Sequence, residues 1–109
     1  MKLIIAVVQD ADCASVLEGL TARGYRATKL ASTGGFLREG NATLLVGVDD
    51  DQTDDAIGVI GRLARSRERV VTPLATAAAP MEAYAPYPVE VVVGGATVFV
   101  VDVERFERF

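Results

Sequence analysis

The run Leu3-Ile4-Ile5-Ala6-Val7-Val8 does most to limit what this chain can become. It is continuous, apolar and rich in β-branched side chains. It is far too short to span a bilayer, and Asp10 and Asp12 close it off. Such a run reads as a central strand with both faces covered, rather than as a signal peptide. Cys13, Val16, Leu17 and Leu20 then recur at helical spacing, with Asp10 or Asp12 available as a cap. Gly24 falls just after Arg23, where the glycine that ends a helix belongs. The first unit is therefore strand, helix, strand.

The stretch from Gly24 to Gly47 carries the chemistry. Tyr25 to Thr33 reads as a strand in which Arg26, Thr28, Leu30 and Ser32 share one face and Tyr25, Ala27, Lys29 and Ala31 the other. A short glycine-rich loop follows, and a third strand starts near Ala42 and ends near Val48, interrupted by Gly47. A glycine inside a strand lets another group approach the backbone closely. The loop offers backbone N–H groups at Gly34, Gly35 and Gly40, positive charge from Arg26, Lys29 and Arg38, neutral hydrogen-bond partners at Thr28, Ser32, Thr33 and Asn41, and an apolar plate at Phe36. Phe36, Asn41 and the basic residues are surplus to an ordinary turn. Together they predict a ligand-binding loop for a nucleotide.

Asp49-Asp50-Asp51 opens a second helix, with Ala56, Ile60 and Leu63, flanked by Ile57 and Ala64, as its apolar stripe. Acidic residues at its start and arginines at 62, 65, 67 and 69 complement the helix dipole. Val70 to Pro73 reads as a short extended piece. Leu74 to Tyr87 has no clear periodicity, and a connection of that length in a small domain is usually functional or mobile. Val89–Val93, Gly94-Gly95 and the strand from Ala96 read as a hairpin with a two-residue turn. An amphipathic tail carries Phe106 and Phe109.

This order predicts an α+β fold: a ferredoxin-like βαββαβ sandwich with an extra C-terminal strand, formed by one domain over residues 1–109, with a short loop at about 34–41 and a long loop at about 74–88. Both helices then lie on one face of an antiparallel sheet. The remaining chain is too short to cover the other face, so a second subunit is the simplest cover and an oligomer is expected.

Composition narrows the function. A hydrophobic content of 50 % supports a packed core, built from aliphatic residues because aromatics make up only 6 %. A net charge of −4 argues against binding a nucleic acid polymer, which needs a basic face, but leaves room for a small anion held by a local cluster. Histidine is absent, which removes the commonest general base and zinc ligand. Cys13 cannot form an internal disulfide, which fits a reducing cytoplasm, and it reads as a core thiol with no basic neighbour.

Three motif readings compete with this one. Gly35 to Gly40 has the glycine spacing of a phosphate-binding P-loop, but Asn41-Ala42 stands where Lys-Ser/Thr belongs and a strand follows where a helix is needed. The aspartates at 49–51, 54 and 55 lack the alternation, glycine and distal glutamate of a calcium loop and read as a solvated helix start, with no metal expected. An acylphosphatase-like hydrolase would use one Arg and one Asn, and Arg26 and Asn41 are formal candidates. Its phosphate loop, however, would fall at Gln9-Asp10-Ala11-Asp12, whose charge repels phosphate.

The blocks Ile4 to Asp10, Arg26 to Ala31, Thr33 to Arg38, Gly40-Asn41, Pro86 to Val91 and Val93 to Val100 occur in order over essentially the whole length. In these blocks the chain closely resembles the PII-like cyclic di-AMP receptors (the PstA/DarA type). The resemblance implies a PII-like homotrimer that binds cyclic di-AMP in the clefts between subunits and signals, without catalysis, by rearrangement of its loops to an unidentified downstream protein. It implies a cytoplasmic protein with no membrane association and no cofactor beyond its ligand. It maps the binding positions onto Arg26, Thr28, Gly35, Phe36, Leu37, Asn41 and Gly47, with Gly94 or Gly95 from the last turn. A PII-like trimer binding ATP or ADP is the alternative within the same scaffold. The chain departs from the family at Gly24, where Asn is frequent and a side-chain amide within reach of the ligand is lost, and at Ala75 to Ala79, where glycines are expected.

Overall fold

A computed structural model of the chain describes residues 1–32, 40–71 and 89–109. Gly35, Phe36 and Leu37, most of the short loop and the whole of the long one lie outside the described residues. The elements are β1 (Lys2–Gln9), α1 (Asp10–Ala22), β2 (Ala27–Ser32), β3 (Asn41–Val48), a 3-10 turn (Asp50–Gln52), α2 (Thr53–Leu63), β4 (Arg67–Val71), β5 (Val89–Val93) and β6 (Ala96–Asp102).

Four strands form an antiparallel sheet in the order β2-β3-β1-β6. Strand β1 is central, as its apolar run requires. Its even positions Ile4, Ala6 and Val8 are buried, and they stand opposite Val46, Leu44 and Ala42 of β3, which are buried too. Both helices pack on this face: Cys13, Val16 and Leu20 from α1, and Ala56, Val59, Ile60 and the adjoining Ala64 from α2, complete one core. Each fully buried Leu, Ile or Val there contributes about 1.5–3 kcal/mol relative to exposure. Leu17, Ile57 and Leu63 only flank that core, and Val59, absent from the expected stripe, is at its centre.

The helix ends follow the local chemistry. Gly24 adopts φ +84°, and the N–H groups of Gly24 and Tyr25 bond to the carbonyls of Thr21 and Leu20, each at 2.9 Å. This is the paired C-terminal cap that a left-handed residue makes possible. At the start of the second helical segment Asp49 and Gln52 form a reciprocal capping box, and the neighbouring Asp50 carboxylate accepts from the N-terminal amine at 2.8 Å. The first helix departs from expectation. Gln9 is its N-cap and supplies no side-chain cap; Asp10 and Asp12 lie in the first turn, and Asp12 is buried.

Strand order is the larger correction. The segment after α2 does not complete the main sheet. Strand β4 pairs with β5 in a separate two-stranded ladder, Arg67 opposite Val93 through Val71 opposite Val89. Strand β6 takes the fourth place, beside β1. The expected hairpin across Gly94-Gly95 is therefore a crossing from one sheet to the other. Both glycines have positive φ, +83° and +101°, as a tight hairpin turn also requires. The sequence thus specifies the turn conformation but not which strand each arm joins. A smaller correction concerns β2: its register shifts between Lys29 and Ala31, so the alternation inverts at Leu30 instead of running through to Ser32. Among the described residues no helix is long and apolar enough to cross a membrane.

One polar knot ties the end of α1 to α2. The Arg23 guanidinium grips Asp55 with two bonds of 2.7 and 2.6 Å, and the Tyr25 hydroxyl donates to the same carboxylate at 2.5 Å. The Tyr25 bond first, and then the Arg23 bond, hold the Asp55 carboxyl below the usual carboxylate range; the same bond raises the Tyr25 phenol.

Two expectations follow. The Tyr25→Phe variant loses the largest cause of the Asp55 depression, so the Asp55 carboxyl should titrate closer to its ordinary value of about 3.9 in a carbon-detected NMR titration. A depressed carboxylate contributes stability that is complete above its unfolded value and is lost as pH falls through the folded one. The stability gap between the natural chain and Tyr25→Phe, read from urea midpoints, should therefore be present at neutral pH and narrow below about pH 4. A gap that persists unchanged in acid would show that the hydroxyl acts through packing. Separately, Gly58 lies exposed inside α2, and a Cβ built there meets nothing within 4 Å. Gly58→Ala should raise stability by about 0.5–1 kcal/mol in the same denaturation experiment.

Candidate ligand-binding site

The sheet has a second face that no helix among the described residues covers. It carries the odd positions of β1 and their cross-strand partners. Leu3 stands opposite Gly47 and Val101, Ile5 opposite Leu45 and Phe99, Val7 opposite Thr43 and Thr97, and Gln9 opposite Asn41. Thr28 of β2 joins this face opposite Leu45. Side chains at successive strand positions alternate between faces, so the residues that cannot reach the helices are gathered here. Leu3, Ile5, Val7 and Leu45 are half-buried, while Phe99 and Val101 are 55 % and 43 % exposed. The face is thus apolar from Leu3 through its middle and polar at the Gln9 end.

The described binding candidates divide between those ends. Gly47 lies near the start of β1, and Asn41 lies six residues away along β3, opposite the end of β1. At about 3.3 Å per residue, that separation is about 20 Å. Each end borders a cavity. The larger, about 550 Å³, is walled by Gly24, Arg26 and Gly47 together with Asp49, Phe106 and Arg108. The smaller, about 250 Å³, is walled by Val7, Gln9, Asn41, Gly94, Gly95 and Thr97 among others. Thr28 lies exposed on β2 and lines neither.

The larger cavity is lined by charges of both signs, Arg26 and Arg108 with Asp49 and Glu107. Three other arginines are neutralised: Arg23 by Asp55, Arg67 by Asp12 and Arg105 by Glu107. Arg26 and Arg108 pair with no carboxylate among the described residues, and both border this cavity. Tyr25 and Gln52 add polar groups to the same wall. The close approach expected at Gly47 is present, since a Cβ there would stand 3.2 Å from the Met1 side chain. Phe106, 63 % exposed, lines the cavity without being buried, and Phe109 is fully exposed. The sequence marked the tail as amphipathic but not its position beside Arg26, which depends on β6 running next to β1.

At the smaller cavity the glycines are already engaged. The Gly94 N–H donates to Gln9 Oε1 at 2.7 Å, and the Gly95 N–H donates to the Ala64 carbonyl. A Cβ at Gly94 would come within 2.5 Å of both the Arg65 carbonyl oxygen and the Arg67 guanidinium. Glycine is required at this position by conformation and by space. Arg67 in turn is held by the buried Asp12 carboxylate at 2.8 Å. Gln9 and Thr97 are additions that the sequence reading missed. The signal for them was register: both stand on the open face, beside positions already chosen.

A solved structure of a functionally unknown protein from Pediococcus pentosaceus is similar to this chain, with 38% sequence identity, a TM-score of 0.78, and coverage of 99% of this chain and 96% of that one. The family model described as cyclic-di-AMP receptor matches residues 1–109, the whole chain. The chain is a member of the cyclic di-AMP receptor family.

Proposed function

We propose that this protein is a non-enzymatic PII-like signalling receptor that binds cyclic di-AMP between copies of itself. The observation that carries the reading is the division of the binding candidates between two ends of one uncovered face, about 20 Å apart along β3. One chain cannot close both groups around one small ligand. Two chains set against each other can bring the Arg26 end of one to the Asn41 end of its neighbour. A homotrimer closes such contacts in a ring and covers the apolar middle of every open face. The exposed edge strand β6, with Phe99, Val100 and Val101 outward, supports the same association.

In this reading Arg26 faces phosphate, a role supported by its guanidinium, which borders the larger cavity and pairs with no carboxylate among the described residues. Backbone N–H groups of Gly35, Phe36 and Leu37 join it, and Phe36 adds apolar contact to a base. Thr28 and Asn41 hydrogen-bond adenine edges. Gly47 admits the ligand close to the backbone, and Gly94 lies beside the base. The short and long loops then change shape for a downstream protein, to the extent that the ligand binds one arrangement more tightly than the other.

Calorimetric titration with cyclic di-AMP, with cyclic di-GMP and ATP run alongside, tests the reading. Binding of cyclic di-AMP alone near one per subunit is expected, with a trimer in light scattering. Heat with ATP and none with cyclic di-AMP would overturn it. Arg26→Ala should weaken cyclic di-AMP binding by roughly 1.5–3 kcal/mol through loss of a charge-assisted bond; an unchanged Kd removes Arg26 from the site.

Gly24→Asn gives a test in the opposite direction. Asn is the residue besides Gly that best tolerates the left-handed conformation, and a Cβ at Gly24 meets nothing within 4 Å. The helix cap should survive, and the new amide borders the larger cavity. Cyclic di-AMP affinity should rise by about 0.5–1.5 kcal/mol. An unchanged Kd in a variant that melts normally would place this position outside the contact shell.

A further inference from the structure

The roles assigned above leave one amide at the end of β1 unused. Gln9 stands on the open face opposite Asn41 and borders the smaller cavity. Its Oε1 accepts the Gly94 N–H at 2.7 Å. A backbone N–H can only donate, so this contact fixes which way the amide is turned: the oxygen lies against Gly94 and the NH2 group is turned away from it. The anchor that holds the oxygen cannot easily shift. Gly94 sits at φ +83° against the Arg65 carbonyl, the neighbouring Gly95 N–H is bonded to Ala64, and Arg67 is tied to the buried Asp12. Gln9 thus has its oxygen engaged, while its two N–H donors make no hydrogen bond among the described residues.

Gln9 stands opposite Asn41 on the wall of this cavity, and an N–H donor there suits an acceptor nitrogen of a base. The cavity the two share, about 250 Å³, is below the roughly 300–1,000 Å³ that encloses a whole drug-sized ligand, and suits a single base.

We infer that Gln9 is a further base-recognition residue, which donates its side-chain N–H to a ring nitrogen of the adenine bound beside Asn41. The inference rests on the cyclic di-AMP reading given above. It also makes Gln9 the physical link between that base and the β4–β5 arm, because the same side chain holds the base of the arm through Gly94.

A cycle that alters the protein and the ligand together tests it. Cyclic di-AMP and its analogues lacking N1, N3 or N7 are titrated into the unaltered protein and into Gln9→Met, which removes donor and acceptor at similar length. In the unaltered protein one analogue should bind roughly 3- to 10-fold more weakly than cyclic di-AMP. In Gln9→Met the penalty for that analogue should disappear. Gln9→Glu keeps an acceptor for Gly94 and removes the donor, so it should give the same loss of penalty even if Gln9→Met disturbs the arm. If every analogue carries the same penalty in all three proteins, the inference fails while the receptor reading stands. If the unaltered protein takes up no cyclic di-AMP, both fall together.

Discussion

A sheet has two faces, and this chain supplies helices for one. That imbalance underlies the rest of the molecule. The even positions of β1 and β3 form a closed core with α1 and α2, and the odd positions are left in a plane with no helix of the described residues above them. The plane is apolar over Leu3, Ile5, Leu45 and Phe99 and polar at the Gln9 and Asn41 end. A free surface of this kind is costly to leave in water. An identical copy is the partner always present at the right concentration. The binding candidates border the same plane, so association and ligand binding draw on one surface in the proposed receptor.

The second organising feature is a set of bonds at the far end of β1. Asp12 is a buried carboxylate, and the Arg67 guanidinium reaches it with Nη2 at 2.8 Å. Removing such a partner leaves a charge stranded away from water, which is why buried pairs resist disruption even where their net contribution is small. Gly94 on Gln9 and Gly95 on Ala64 complete the attachment. The β4–β5 ladder is therefore fixed to the core at its base, at the start of α1, the end of α2 and the end of β1. Its root is in contact with the smaller cavity through two residues, Gly94 and Gln9.

The sequence carried more of this fold than of the site. Helical spacing at Cys13, Val16 and Leu20, the glycine after Arg23 and the aspartates before the second helix each follow a local rule, and each is present in the structure. What local rules cannot specify is partner choice. Gly94-Gly95 demanded positive φ, and the structure has it, but a hairpin and a sheet-to-sheet crossing demand the same dihedrals. The fourth strand was consequently assigned to the wrong segment. The bulge at Leu30 was hidden for a related reason, since alternation in sequence does not record an extra residue in one strand. At the site, Arg26, Thr28, Asn41 and Gly47 were picked out by residue type and by resemblance, and the structure groups them on or beside one face. Gln9 and Arg108 were not picked out, because their significance lies in what stands beside them after folding.

A chain of net charge −4 is an unexpected holder for a doubly charged dinucleotide, and the distribution of its arginines resolves the difficulty. Electrostatic attraction at contact range depends on local charge, because charges beyond about 8–10 Å are screened at physiological salt. Arg23, Arg67 and Arg105 are neutralised where they serve the fold, and Arg26 and Arg108, which share the larger cavity, pair with no carboxylate among the described residues. An acidic surface elsewhere weakens long-range attraction for nucleic acid polymers, which rely on many phosphate contacts at once, and costs a ligand with two phosphates little. In the proposed receptor, charge selects the size of the anion, and identity is left to the neutral groups at the other end of the face, where Asn41 and Gln9 stand opposite each other beside the root of the β4–β5 arm. In the proposed receptor, affinity would arise chiefly at one end of a subunit and discrimination at the other, so a ligand between two copies is read by both.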